Sequence, residues 1–327
     1  MTNNKLRNKQ NVIIIGCGRW GSFIGWYLDR IGHSVTLYGL KEAESFLKLL
    51  NHRENEYIKL PDTISLTTDI EETLNKDVVI ISINSQNLRS VCKQLKDINL
   101  KDKKIVLCMK GIEIETGKRL SEIVEEIIDP SNKVLVWIGP GHIQSFYNGV
   151  PNCMVIDSKD SEAKEELINA FSSDLIRFYY GNDLIGNEIG AALKNVIGIA
   201  AGMLDGFNLS ALKGALMARG TREVSRLIKA LGGNELSAYG LCHLGDYEAT
   251  VFSKYSHNRQ YGESFVKNEP FTYLAEGYYT AKAVKELNKN VNVDLPICNA
   301  VYDILYNGKN PKETLNNLFK RSLKEEF

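Results

Sequence analysis

Asn11-Val12-Ile13-Ile14-Ile15-Gly16-Cys17-Gly18-Arg19-Trp20-Gly21 is the stretch on which the reading of the fold turns. A short apolar run ends in Gly-x-Gly-x-x-Gly, and an amphipathic helical pattern follows over 20–31. In that strand–turn–helix context the three glycines read as a dinucleotide-binding loop. Gly16 permits the tight turn, Gly18 lets backbone approach a pyrophosphate, and Gly21 allows the helix to pack closely on the strand. The amides at the helix start then face the anion.

Outward from this loop, β-rich runs alternate with helical patterns. Strands are expected at 11–15, 34–38, 63–67, 77–83, 104–108, 133–138, 152–157 and 175–180. Helices are expected at 20–31, 41–51, 86–96, 115–128 and 160–171. The runs at 77–83, 104–108 and 133–138 are continuously apolar, as in parallel strands covered on both faces. Beyond Gly181 no strand pattern is evident, and helices are expected at 184–205, 210–231, 234–241, 272–288 and 297–306. The expected architecture is α/β: a Rossmann-like doubly wound sheet over 1–182, then an all-helical domain over 183–327.

Composition narrows the function. The 327 residues contain 40 Lys plus Arg and 40 Asp plus Glu, so the formal net charge is zero. That balance argues against nucleic-acid or membrane-surface partners. Six scattered cysteines without a C-x-x-C motif suggest neither a disulfide framework nor a zinc site, and no metal is expected. The polar N-terminus lacks the features of a signal peptide, and the longest apolar run, near 196–204, is shorter than a spanning helix requires. A cytoplasmic protein is expected.

In an open α/β sheet, ligands bind beyond the carboxyl ends of the strands. Those ends carry Asn84-Ser85, Met109-Lys110-Gly111 and Gly139-Pro140-Gly141-His142. Lys110 is therefore a candidate to bind an anionic substrate or polarise a carbonyl, and His142 is either a substrate contact or a structural donor. The second strand ends in Tyr38-Gly39-Leu40-Lys41, without the acid that commonly reads the ribose of NAD. Glu42 comes slightly late, and Lys41 is placed to neutralise a 2′-phosphate. Both NAD and NADP stay open, with a lean to NADP.

The segment 188–204 is almost wholly apolar, which marks a buried helix. Lys194 lies in its middle, on a face shared with Asn187, Gly190, Ala191, Gly198, Ala201 and Asp205. Desolvation lowers the pKa of such a lysine unless an acid compensates, which suits a general acid/base. Asp246 is a candidate to orient it. The glycines of this helix imply close approach by a ligand or another element. Asn258 and Arg259 suit a phosphate, as an amide donor beside a planar fork.

Taken together, these residues resemble the NAD(P)-dependent glycerol-3-phosphate dehydrogenases of the bacterial type. The resemblance runs from Gly16 to about Tyr306, and rests on the glycine loop, Lys110-Gly111-Ile112-Glu113, Gly139-Pro140, Leu193-Lys194-Asn195-Val196-Ile197, Gly245-Asp246, Asn258-Arg259 and Glu276-Gly277. It implies reversible reduction of dihydroxyacetone phosphate to sn-glycerol 3-phosphate for phospholipid synthesis, by a homodimer. It makes Lys194 the proton donor/acceptor, with Lys110 and Asp246 also catalytic. Lys110, Gly139, Asp246, Ser256 and Asn258 would contact substrate, supported by Asn195 and Thr250. Arg19, Trp20 and Glu276 would lie near the cofactor, and Lys110 is counted there too.

The family pattern is broken at three places. Gly141 stands where Ser or Thr is usual, Leu40 where a basic or histidine residue is usual, and His257 where arginine is usual. The arginine's part in phosphate or cofactor binding then passes to Arg259, to His257 itself, or is lost. Two alternatives follow: a dehydrogenase of the same fold for another small hydroxy acid or phosphorylated ketone, and a dinucleotide sensor without turnover. Retention of Lys110, Lys194 and Asp246 disfavours the sensor.

Overall fold

Strand β1 (Asn11–Ile15) is buried from Val12 onward, and β4 (Val78–Ile81) is buried at every residue. Both are central strands of an eight-stranded sheet ordered β3-β2-β1-β4-β5-β6-β7-β8. The others are β2 (Ser34–Tyr38), β3 (Ser65–Thr67), β5 (Lys104–Leu107), β6 (Lys133–Ile138), β7 (Asn152–Ser158) and β8 (Ile176–Tyr180). Pairing is parallel from β3 through β6, while β7 runs antiparallel to β6 and β8 follows β7 in parallel. The strand order reverses between β1 and β4, which is where such sheets bind ligands. The computed structural model describes residues 8–323, 325 and 326. Most of the polar N-terminal stretch and the outermost positions of the expected domain spans lie outside the described residues.

The chain divides into two compact units, one of Met1–Lys110 with Arg119–Leu184 and one of Gly111–Lys118 with Ile185–Phe327. The first holds the sheet with α1 (Arg19–Arg30), α2 (Glu44–His52), α3 (Leu88–Asp97), α4 (Leu120–Ile127), α5 (Ile143–Tyr147) and α6 (Ser161–Phe171). Its core gathers aromatic and branched side chains such as Phe23, Tyr27, Ile80, Trp137 and Phe171, all fully buried. The expected helix at 115–128 begins only at Leu120. Residues before it form a turn closed by the Glu113 amide on the Lys118 carbonyl, with Gly117 at φ +69°.

The second unit is helical among its described residues. It comprises α7 (Leu184–Gly206), α8 (Lys213–Ala230), α9 (His257–Lys267), α10 (Glu276–Asn288), α11 (Pro296–Tyr306) and α12 (Pro311–Phe319). The segment 234–241, expected as a helix, forms a 3₁₀ turn over Glu235–Tyr239. Helices α9 and α12 were not foreseen. Contrary to the apolar-run reading, α7 has the length and composition to cross a membrane, but 89% of its apolar window is buried inside the protein. It is a core helix whose apolar surface faces other side chains.

The close approach expected at the α7 glycines is made, at Gly202, by another chain element. A Cβ on Gly202 would lie 1.9 Å from the Arg259 carbonyl oxygen, and one on Gly262 would lie 2.0 Å from that of Ile199. Helices α7 and α9 thus meet backbone to backbone. That is why the sequence accepts the helix-propensity penalty of interior glycines, up to about 1 kcal/mol each relative to alanine.

Candidate active site

In the first unit, the loop after β1 is shaped for an anion. Gly16 has φ +110°, and a Cβ there would meet the Ser82 carbonyl oxygen at 2.2 Å. A Cβ on Gly21 would meet the Gly16 carbonyl oxygen at 1.9 Å, whereas one on Gly18 would meet nothing within 4 Å. The first and third glycines are therefore required by packing, and the second leaves backbone open at the start of α1. That is the cradle a pyrophosphate needs, next to unpaired first-turn amides. Arg19 opens α1 with its guanidinium 5.3 Å from the centre of the Tyr57 ring. Burial lowers its pKa from the usual arginine value. Trp20 packs on Phe23 and Phe146 at centroid distances of 5.1 and 6.4 Å.

Beyond β5 and β6, Lys110 donates from Nζ to the Gly139 carbonyl at 2.7 Å. Two positions read independently from strand ends are thus joined by a hydrogen bond. Gly141 has φ +159°, and a Cβ there would meet the Phe146 ring at 2.3 Å. The hydroxyl residue usual at this position is excluded because Phe146, stacked on Phe23 at 5.1 Å, fills its space. His142 precedes α5 as its N-cap residue without a side-chain cap bond. Past β2, Leu40 is 64% exposed, and Lys41 and Glu42 are exposed as well.

In the second unit, the Lys194 ammonium lies 2.8 Å from Asp246 Oδ2 and donates to Thr250 Oγ1 at 2.6 Å. All three residues are buried. The acid needed to compensate the desolvated lysine is therefore present. Asp246 ends the 3₁₀ turn Leu244–Asp246, and Thr250 sits in a π turn over Glu248–Phe252. Such π turns are frequent at functional sites. Asn195, the next residue on α7, accepts from Asn258 Nδ2 at 3.0 Å, and Asn258 Oδ1 accepts the Gly277 amide at 2.8 Å. Asn258 thus ties α7 to the first turn of α10, where Glu276 stands.

Ser256 caps α9, accepting the Arg259 amide at 3.3 Å, and His257 is the first helical residue, stacked on Tyr273 at 5.0 Å. Arg259 lies deeper than the phosphate reading expected. Its Nη1 meets Asp205 at 2.7 Å and Glu263 at 2.9 Å, and Nε donates to the Ser253 carbonyl at 3.1 Å. Asp205 also holds Lys213 at 2.6 Å. These bonds join α7, α8 and α9.

Tyr247 stands in the polar stretch Gly245–Thr250 without a role of its own in the sequence, and nothing there singles out His243. His243 Nδ1 lies 2.8 Å from the Gly190 carbonyl, and the Tyr247 hydroxyl lies 2.7 Å from His243 Nε2. Both side chains are fully buried, and His243 lies beside the Lys194–Asp246 pair. Their separation by four residues next to Asp246 was the one available signal.

Comparison with known proteins assigns the family. Residues 11–164 match the family described as NAD-dependent glycerol-3-phosphate dehydrogenase N-terminus, and residues 183–316 match the corresponding C-terminus. The chain is 36% identical over 330 residues to glycerol-3-phosphate dehydrogenase [NAD(P)+] of Fusobacterium nucleatum, covering 97% of this chain and 98% of the relative. It is 34% identical over 328 residues to the protein of that name from Thermoanaerobacter sp., with 97% and 98% covered. A crystal structure of glycerol-3-phosphate dehydrogenase from Coxiella burnetii superposes with a TM-score of 0.89 at 25% identity, covering 96% of this chain and 99% of that one. The chain belongs to the NAD-dependent glycerol-3-phosphate dehydrogenase family.

Proposed function

We propose that this protein catalyses the reversible NAD(P)H-dependent reduction of dihydroxyacetone phosphate to sn-glycerol 3-phosphate, supplying phospholipid synthesis. The observation that carries the reading is the buried Lys194 ammonium held between Asp246 and Thr250 on a mostly apolar core helix. A bound nicotinamide supplies the hydride. Lys194 holds the proton at Nζ and delivers it to the oxygen on C2 as negative charge develops there. Asp246 keeps the ammonium charged and aimed until that transfer, and Thr250 fixes its second direction. Lys110, restrained by Gly139, meets the anionic substrate, and the start of α9 with Ser256, His257 and Asn258 offers polar groups to the phosphate.

Gly16, Gly18 and Gly21 would hold the pyrophosphate at the start of α1, with Arg19 and Trp20 beside it and Glu276 as a further cofactor contact. The absence of an acid at Leu40 favours NADP without excluding NAD. Balanced charge and scattered cysteines without a C-x-x-C motif support a cytoplasmic enzyme, and family membership supports a homodimer acting without nucleic acid or membrane.

The test is a spectrophotometric assay of dihydroxyacetone phosphate against NADH and NADPH. Substrate-dependent oxidation of either cofactor is expected. Gly141 and His257 favour a second reading, a dehydrogenase of the same fold for another small phosphorylated ketone or hydroxy acid. A higher kcat/KM for such a compound would select it.

A further inference from the structure

We infer that His243 and Tyr247 are positioning residues for the Lys194–Asp246 pair, linked by buried hydrogen bonds that fix the turn bearing Asp246 to the backbone of α7. The inference rests on Lys194 being the proton donor.

The hydrogen-bond directions follow from chemistry. The Gly190 carbonyl can only accept, so His243 carries its proton on Nδ1 and donates at 2.8 Å. Nε2 is then left as an acceptor, which the Tyr247 hydroxyl fills at 2.7 Å. Gly190 and Lys194 are one turn apart on the same face of α7. His243 and Asp246 are the two ends of one tight turn, closed by the Asp246 amide on the His243 carbonyl at 3.0 Å. The carboxylate and the ammonium are therefore both referenced to the same stretch of helix.

The charges around this chain fit a neutral, rigid link. His243 faces Lys194 on α7 and Asp246 on its own turn, which act on it with opposite sign, and burial favours the uncharged ring. Tyr247 faces Thr221 and Glu223 on α8 and Cys298 on α11. A charged imidazole would compete for Asp246; a neutral one leaves that carboxylate to Lys194. Gly190 fits the arrangement, since a Cβ there would press on the His243 Cβ at 3.0 Å.

The experiment measures kcat and KM for dihydroxyacetone phosphate across pH in full-length wild type and in Y247F, H243L, H243Q, K194M and I228V. Y247F and H243L should lower kcat about tenfold, the scale of a small misplacement of a catalytic group, with KM nearly unchanged. Both should move the pH at which kcat is half-maximal. H243Q should recover most of the H243L loss, because its amide can donate to Gly190 and accept from Tyr247. I228V, a buried truncation that removes none of these hydrogen bonds, should melt lower while keeping kcat and its pH profile. Wild-type kcat and pH profile in Y247F and H243L, with only a lower melting temperature, would overturn the inference. Should H243L fail to fold, Y247F decides alone, since it deletes a single hydroxyl. Turnover retained in K194M overturns the reading of Lys194 itself, whereas an inactive K194M beside an unaffected Y247F overturns only the positioning role.

Discussion

Asp246 Oδ2 lies 2.8 Å from Lys194 Nζ with the two side chains 1% and 8% exposed, a desolvated ion pair inside a helical unit. A buried pair of this kind contributes little net stability, but breaking it leaves a charge uncompensated. D246N should therefore lose roughly 3 kcal/mol or more of unfolding free energy. K194M/D246N should lose less than D246N alone, because the orphaned ammonium is gone. Urea unfolding of the two variants and wild type measures this. A double variant less stable than D246N would show that the charges are not coupled.

The crossing of α7 and α9 yields a contrast between glycines. G202A places a methyl group 1.9 Å from the Arg259 carbonyl and must push the helices apart. A loss of several kcal/mol is expected, on the scale of severe overpacking. On α8, a Cβ at Gly214 meets nothing within 4 Å. G214A should be neutral or stabilise by up to about 1 kcal/mol. Thermal melts of both proteins check the pair.

Cofactor choice should respond to the exposed end of β2. L40D introduces an acceptor for ribose hydroxyls and a negative charge against a 2′-phosphate. It should move the kcat/KM ratio toward NADH. K41A should weaken NADPH more than NADH, with the difference shrinking as salt rises, since this contact is solvated. Outright rejection of NADPH by wild type would instead assign the ribose to another acid, with Glu42 the nearest.

Two buried groups give stability opposing pH slopes. Burial pushes the Glu223 carboxyl up to about 7 from 4.5, although it accepts the Ile297 and Cys298 amides. Between those values the folded state holds a proton the unfolded chain has released, so stability falls as pH rises. Burial holds His243 down at about 4 from 6.5. Between these values the unfolded chain binds a proton the folded state refuses, so stability falls as pH falls. E223Q should remove the first slope and H243Q the second. Urea midpoints of the three proteins from pH 4 to 8 would reveal each, whereas identical slopes would contradict both assignments.

The sheet was legible because buried parallel strands read as unbroken apolar runs, and Gly16–Gly21 stood directly after one of them. Lys194 was legible because it is the one cation in a long, mostly apolar helix. Helix α9 was not, since His257, Asn258, Arg259 and Gln260 open it with polar side chains and Gly262 interrupts its pattern. Its glycine makes sense only against the Ile199 backbone of α7. The ion pairs of Arg259 were equally hidden, because Asp205 is 54 residues away and a cation looks the same in sequence whether it faces a ligand or an acid. His243 and Tyr247 escaped notice because their partners are a backbone carbonyl and each other. The assignment of Gly111–Lys118 to the second unit had no compositional signal at all.

In the proposed mechanism Lys194 supplies the proton in a dihydroxyacetone phosphate reduction. The direct measurement is the rate of NAD(P)H oxidation by wild type and K194M at saturating dihydroxyacetone phosphate, with cofactor binding followed separately. Substrate-dependent turnover by wild type, a loss of about 100-fold or more in kcat for K194M, and nearly unchanged cofactor affinity are expected. K194M turning over at the wild-type rate, or a wild type that leaves NADH and NADPH untouched by this substrate, would contradict it.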